Sequence, residues 1–367
     1  MKIQYTFYLL ALFLLLFGSC NDSLLPDKSM AFKNVEYIEA FPHVYHLSGD
    51  TVPDIDIIGI NDFCVVDSMM VFSLRGSDSL WAFYSLPEYR LLGRCLTRGD
   101  GPNEFVQIPG VSFKTDFFRN EGKLSAVIYD SQKGRALKLD VNAVLKSFDH
   151  PVSVLCDNLP PFLFNFIALS DTSFFCKGTN ASYNQQIRYI KEPSGEFVPS
   201  VLESLNAASV DDGMKNINII STISRMNHDS GLIVEMPIGL NYINIYSLSG
   251  HFSKTICIGK KLYDINDIES QDYEDRIYTY SDLCVYKQFW AVVSIGEDMK
   301  TFQMGRKRYP SLLMFDWNGS PLAKLDLNRF ITSFDIDVAN GTLYTFDTYT
   351  DELRKYDIGY ILKDIFE

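Results

Sequence analysis

The five histidines, His43, His46, His150, His228 and His251, are the first residues to test for chemistry. They recur at no regular interval, and a zinc site needs three or four ligands that converge. His43 and His46 stand three apart, so on an extended segment they point to opposite faces. Nucleophile and phosphate motifs are missing: there is no Gly-x-Ser-x-Gly elbow, no His-Glu-x-x-His pair and no loop ending in Gly-Lys-Ser/Thr. The acids Asp67, Asp130, Asp316 and Asp347 each close an apolar run, where a solvated turn is due. Acids placed so can instead gather around calcium in a channel, which is the route to a hydrolase or lactonase. No catalytic residue and no cofactor is assigned, and calcium stays as the alternative.

The sharpest local contrast in charge follows residue 260. Asp264, Asp267, Glu269, Asp272, Glu274 and Asp275 form an acidic arc interleaved with Tyr263, Tyr273 and Tyr278. Lys300, Arg306, Lys307, Arg308 and Tyr309 form a basic one soon after. The spacing predicts a short amphipathic helix for the first and a long hairpin loop for the second. Tyrosine and arginine dominate contact surfaces. Tyr263, Asp264, Asp272, Tyr273, Arg306, Arg308 and Tyr309 are therefore a candidate partner face for a protein, peptide or glycan. The plain alternative is two solvated loops that neutralise each other.

These residues need a scaffold, and the chain declares one at Arg98-Gly99-Asp100-Gly101-Pro102-Asn103-Glu104-Phe105, running on to Ile108-Pro109-Gly110-Val111. Two glycines around an aspartate permit backbone angles that a side chain forbids, and Pro102 fixes φ just after them. The stretch is a turn that ends one β unit and starts the next. Asp100 and Glu104 are expected to bond backbone amides while Phe105 plugs between units; the alternative has both acids facing a ligand.

A degenerate repeat of strand, polar turn, strand, loop and strand surrounds this turn. Its clearest copy is residues 334–338, the turn Ala339-Asn340-Gly341, residues 342–347 and residues 353–357; Asn-Gly is a strong hairpin signal. Third strands start near residues 80, 135, 187, 242, 312 and 353. Six such units of about four strands each predict an all-β, six-bladed β-propeller. The long interval from 242 to 312 holds an insertion, which a propeller carries as a loop on one face. An open ring exposes strand edges, so residues 35–47, which lack a blade of their own, are expected to complete the last one and close the ring.

Ahead of the fold, Lys2, the apolar run over residues 7–17 and the small pair Gly18-Ser19 have the layout of a secretory signal. Cys20, with Asn21-Asp22-Ser23 behind it, resembles a bacterial lipobox, which implies cleavage before Cys20 and its acylation. The expected organisation is a signal over 1–19, a lipidated tether over 20–34 and the propeller over 35–367. The formal charge of −13, one unit more negative without Lys2, argues against a nucleic-acid partner. The six cysteines beyond Cys20 sit mostly in apolar runs, as buried free thiols do. A Cys156–Cys176 bridge is the exception to test.

Gly99, Gly101, Phe105, Pro109, Gly110 and Val111 resemble the blade-linking signature of NHL-type propellers. The version Arg-Gly-x-Gly-Pro-x-Glu-Phe is similar to that of bacterial six-bladed propeller lipoproteins, called TolB-like, with Asn103 where that family usually has glycine. The resemblance implies a lipid-anchored propeller of mostly unassigned molecular role; the expected protein is a monomer anchored at the outer membrane, on either its periplasmic or its outer side. A binding or scaffolding role is expected, and the resemblance transfers no catalytic residue.

Overall fold

Six third strands, at the positions the repeat predicts, each lie within one of six sheets whose blade strands run antiparallel. The computed structural model describes residues 28–52, 55, 57, 59–146 and 151–366. The first blade is Ile60–Val66, Met69–Leu74, Ser79–Ser85 and Leu91–Arg98, with Glu104–Phe105 added in parallel. The second is Thr115–Asn120, Lys123–Asp130, Arg135–Asp140 and Val152–Cys156; the third is Asn165–Ala168, Phe174–Thr179, Gln186–Glu192 and Gly195–Phe197. The fourth is Thr222–Asn227, Leu232–Pro237, Tyr242–Ser247 and Ser253–Ile258; the fifth is Ile277–Val285, Phe289–Asp298, Ser311–Asp316 and Pro321–Leu327. The sixth takes only Ser333–Asp337, Thr342–Asp347 and Glu352–Asp357 from the C-terminal part.

First strands touch first strands of neighbouring blades and form the innermost layer. Because strands alternate in direction, the loops joining second to third strands and blade to blade share one face. The first-to-second and third-to-fourth turns share the other. The apolar core is split into six clusters, one between each pair of adjacent blades. The cluster between the sixth and first blades packs Tyr344 and Phe346 against Phe63, Met70 and Phe72.

An N-terminal strand joins the last blade and closes the ring, as expected, but it is Asp50–Thr51 and not residues 35–47. Val35–Ile38 pairs in parallel with Ser253–Ile258 of the fourth blade, and Val44–Leu47 in parallel with Pro321–Leu327 of the fifth. Only Asp50–Thr51 joins the sixth blade, opposite Arg354 and Lys355. The segment is thus a strap over three blades. Its physical reason is edge protection: fourth strands expose unpaired backbone, and a short added strand covers it. Lys28 to Asn34, expected in the tether, also belongs to the fold. Met30, Ala31 and Phe32 are buried against the fourth blade, where Met30 N donates to Tyr242 OH and Phe32 N to Thr255 Oγ1. Phe32, Ile38, Leu47 and Val52 enter four successive interblade clusters. The signal region and Cys20 lie outside the described residues.

The C-terminal segment after the last strand is a helix, Gly359–Phe366, that buries Ile361 and Leu362. Its Asp364 accepts from Tyr45 OH and so pins the strap. The six described cysteines are free, Cys156 and Cys176 included. Replacing Phe32 by alanine is expected to cost about 3–5 kcal/mol, measured by urea denaturation. A loss below about 1 kcal/mol would show that the strap is a passive cover.

Candidate functional site

Around the axis, each first strand sends one side chain to the backbone of the next blade. Asp62 accepts from Val111 N and Ser112 N, Asp116 from Ala168 N at 2.7 Å, and Asn165 from Ser224 N at 2.6 Å. Arg225 reverses the polarity and donates to Leu283 O at 3.3 Å. Asp282 accepts from Phe334 N at 3.0 Å, and Asp335 accepts from Val65 N at 2.7 Å, which completes the circuit. Tyr286 OH also donates to Asp335. Burial pushes the Asp282 carboxyl up to about 6 and raises that of Asp335, with Arg225 opposing both. A cavity of about 370 Å³ opens here between strand ends, lined by Val65, Arg225, His228 and Tyr286 among others.

The strand-end acids do not meet at this axis. Asp67 pairs with Arg119, Asp130 with Arg135 at 3.0 Å, and Asp347 with Arg306 at 2.7 Å. Asp316 accepts turn amides from Asn318 and Ser320. Among the described residues, no three of His, Cys, Asp and Glu are grouped to hold a metal ion.

The Arg98–Phe105 turn is a joint between the first two blades. Gly99 takes φ of +152°, where a Cβ would strike the Glu104 carboxylate. Glu104 Oε2 accepts from Gly101 N at 2.8 Å, and Phe105 is fully buried in the cluster between the blades. Lys133 and Arg135 of the second blade donate to the carbonyls of Gly101, Pro102 and Glu104. Asp100, expected to bond an amide, instead faces solvent 3.6 Å from Lys133. Arg98 ends the fourth strand, and Asn103 is an exposed turn residue.

The inserted loops build a cleft on the same face, between the fourth, fifth and sixth blades. Helix Ile265–Glu269 starts at Asp264, whose side chain accepts from Asn266 N, and buries Ile265 and Ile268. Helix Met299–Met304 starts at Asp298, which caps Thr301 N; it occupies part of the segment expected as a loop. A 3-10 turn, Tyr273–Asp275, faces this second helix, and the two are bridged by Lys300–Glu274 at 3.1 Å and Gln303 to Tyr273 OH at 3.4 Å. Beneath the bridge is a hollow of about 320 Å³ lined by Ile219, Ile238, Ile268, Ile277, Tyr273, Tyr278, Met299, Phe302 and Tyr349, with Asn218, Arg276 and Gln303 as its polar members. Tyr278 and Phe302 meet edge to face at 4.7 Å.

The expected partner-face residues divide here. Tyr273 lines the cleft, and Tyr263 and Asp264 line an adjoining hollow of about 250 Å³. Asp272 heads the 3-10 turn. Arg306 turns inward as structure: it lies between Phe330 at 4.6 Å and Tyr349 at 4.7 Å and forks onto Asp347. Arg308 is exposed, and Tyr309 packs on Phe330 at 4.8 Å. The sequence reading missed Ile219, Ile238, Phe302 and Tyr349, which four separate loops deliver.

Next to the cleft, between the third and fourth blades, is a buried charge group. Arg188 donates to Glu235 Oε1 from Nε and Nη2, and Tyr246 OH donates to Oε2. Lys177 donates to Thr222 and Ser224 and lies 3.5 Å from Glu235. Burial pulls the Lys177 ammonium down to about 7. Burial opposes ionisation of Glu235, yet Arg188 and Lys177 hold its carboxyl below the usual range. Every member has a partner, so the group is a structural joint.

Two predictions follow from these joints. Glu235→Ala strands two buried cations and is expected to cost about 3–5 kcal/mol, and Lys177→Met, which leaves Thr222 and Ser224 without their donor, a smaller amount of about 1–3 kcal/mol because Arg188 still serves Glu235; denaturation curves of both variants check this. Asp282 binds its proton more tightly folded than unfolded, so its contribution to stability is complete below about pH 4 and declines as pH rises through 6. Asp282→Asn should remove that part of the pH dependence in melting curves, and an unchanged profile would refute it.

A profile of the family described as TolB-like 6-blade propeller-like matches residues 62–339. No curated protein matches the chain. Among solved structures, the chain is similar to a Bacteroides fragilis NCTC 9343 protein provisionally named as exported. The TM-score is 0.51 at 9% identity, over 88% of this chain and 98% of that one. It is similar to hydrazine synthase of Kuenenia stuttgartiensis, with TM-score 0.45 and 10% identity over 84% and 80%. The calcium-binding protein regucalcin of Agrobacterium tumefaciens str. C58 gives 0.44 and 10% over 86% and 95%. At such identities the likeness is one of fold.

Proposed function

The chain belongs to the TolB-like six-blade propeller family, and from that premise we propose that it is a binding or scaffolding module of the cell envelope. Its ligand is a protein or peptide segment seated in the cleft between the fourth, fifth and sixth blades. One observation carries this reading: the cleft walls are aromatic and aliphatic, Tyr273, Tyr278, Phe302, Tyr349, Ile219 and Ile238, yet they open on the loop face. A partner that inserts one leucine or phenylalanine gains about 1.5–3 kcal/mol from burial. Asn218, Gln303 and Arg276 at the rim supply orientation. A glycan offering an apolar sugar face would use the same walls.

The reading includes export and acylation at Cys20, supported by the apolar run and the small residues before it. Outer-membrane anchoring is part of the proposal and is compatible with either side of that membrane. A closed ring needs one chain, so a monomer is proposed. The hydrolase or lactonase alternative has no supporting observation at the axis, where the acids bond backbone amides.

Capture from envelope extracts tests the proposal. Wild-type protein should retain a defined partner, and Phe302→Ala with Tyr349→Ala should weaken retention at least about tenfold, the scale of a contact hot spot. Equal retention by the double variant would overturn the cleft as the site. Stoichiometric calcium on the purified protein, released by chelator together with activity on an ester or lactone, would favour the catalytic alternative.

A further inference from the structure

We propose that the face bearing the cleft is the face turned to the membrane, with two loop tips resting in the headgroup layer. This rests on the proposed acylation of Cys20. The first described residue, Lys28, fixes where the anchor leaves the fold. Its carbonyl accepts from Ile265 N at 3.1 Å, and its ammonium bridges Asp211 at 2.9 Å and Glu269 at 3.0 Å. Ile265 and Glu269 bound the helix beside the cleft, so the chain departs from the rim of the loop face. The eight steps from Lys28 back to Cys20 reach about 28 Å at full extension. The opposite face lies a strand length further off, about 20–30 Å. A chain that short brings the loop face to the bilayer and leaves the other face little slack.

The surface on that side has the composition of an interfacial contact. Met214 and Met304 are the most exposed large apolar residues described, at 80% and 79%. Met214 lies in the connection from the third to the fourth blade, and Met304 in the second-to-third-strand loop of the fifth, so they flank the cleft on one face. Each tip sets basic side chains near its methionine: Lys215, paired with Asp212 at 3.2 Å, beside the first, and exposed Lys307 and Arg308 with Tyr309 after the second. Apolar side chains joined to lysine, arginine and tyrosine match the boundary between acyl chains and headgroups. The acidic residues on the same face oppose strong attraction to anionic lipid. Contact therefore depends on the anchor, and the cleft meets partners that are themselves held in or on the membrane.

The test uses acylated full-length protein on phosphatidylethanolamine and phosphatidylglycerol vesicles with brominated acyl chains. Tryptophan reporters are placed by Met214→Trp and Met304→Trp, and on the opposite face by Val338→Trp in the first-to-second-strand turn of the sixth blade. Native Trp81 and Trp290 are buried, and the half-buried Trp317 lies in the third-to-fourth-strand turn of the fifth blade, so the quenching of wild-type protein is the common background. Quenching at least about twofold above background is expected at both tips and none at position 338, with flotation of vesicles and protein together. Equal quenching on both faces, or none at the tips of protein that floats, overturns the orientation alone. Wild-type protein that does not float, or that floats as well after Cys20→Ser, overturns the acylation and the orientation with it.

Discussion

Neighbouring blades must satisfy each other's inner backbone, and the rest of the molecule is arranged around that demand. A first strand beside a narrow axis has polar groups that neither its own sheet nor bulk water fully serves. One side chain per blade meets the need, from Asp62 round to Asp335. Each such bond to an ionised acceptor contributes about 1.5–3 kcal/mol and, more to the point, sets the angle between blades. The six apolar clusters then fill the wedges that those angles define. With its acids engaged this way, the axis is part of the architecture.

The loops are unequal, which explains where the cleft forms. The connection from the fourth to the fifth blade and the second-to-third-strand loop of the fifth each contain a short helix. Neither helix is long enough to be stable alone. They hold together through Ile265 and Ile268 below and through the Lys300–Glu274 and Gln303–Tyr273 bridges above. Such bridges between exposed groups are weak. The walls of the cleft are therefore rigid where the propeller supplies them, at Ile219, Ile238 and Tyr278, and more yielding where the two insertions meet.

Much of this was legible in the residues. Second strands lie mid-sheet and are buried almost throughout, so their apolar runs, each followed by a turn and a third strand, mark the blades. First strands were harder: Thr115–Asn120, Asn165–Ala168 and Thr222–Asn227 carry the polar side chains of the axial circuit, which break the apolar pattern. A signal for them existed. Asn61-Asp62-Phe63-Cys64-Val65 and Ser281-Asp282-Leu283-Cys284-Val285 share one pattern, and Thr115-Asp116-Phe117 repeats its start. Residues 35–47 showed strand character, but a parallel edge leaves no local mark of its partner, so the fourth and fifth blades could not be named. Tyr273 stood out in its acidic arc, while Phe302 and Tyr349 become neighbours only through the closed ring.

The strap also sets an order of assembly. Tyr242 and Tyr45, through which it is held, bond to groups 212 and 319 residues away in the chain. Contacts so distant form late, because the intervening loop must close first. Residues 28–38 thus stay unpaired until the fourth blade exists, Val44–Leu47 until the fifth does, and Asp50–Thr51 until the sixth does. The finished ring then locks the strap down.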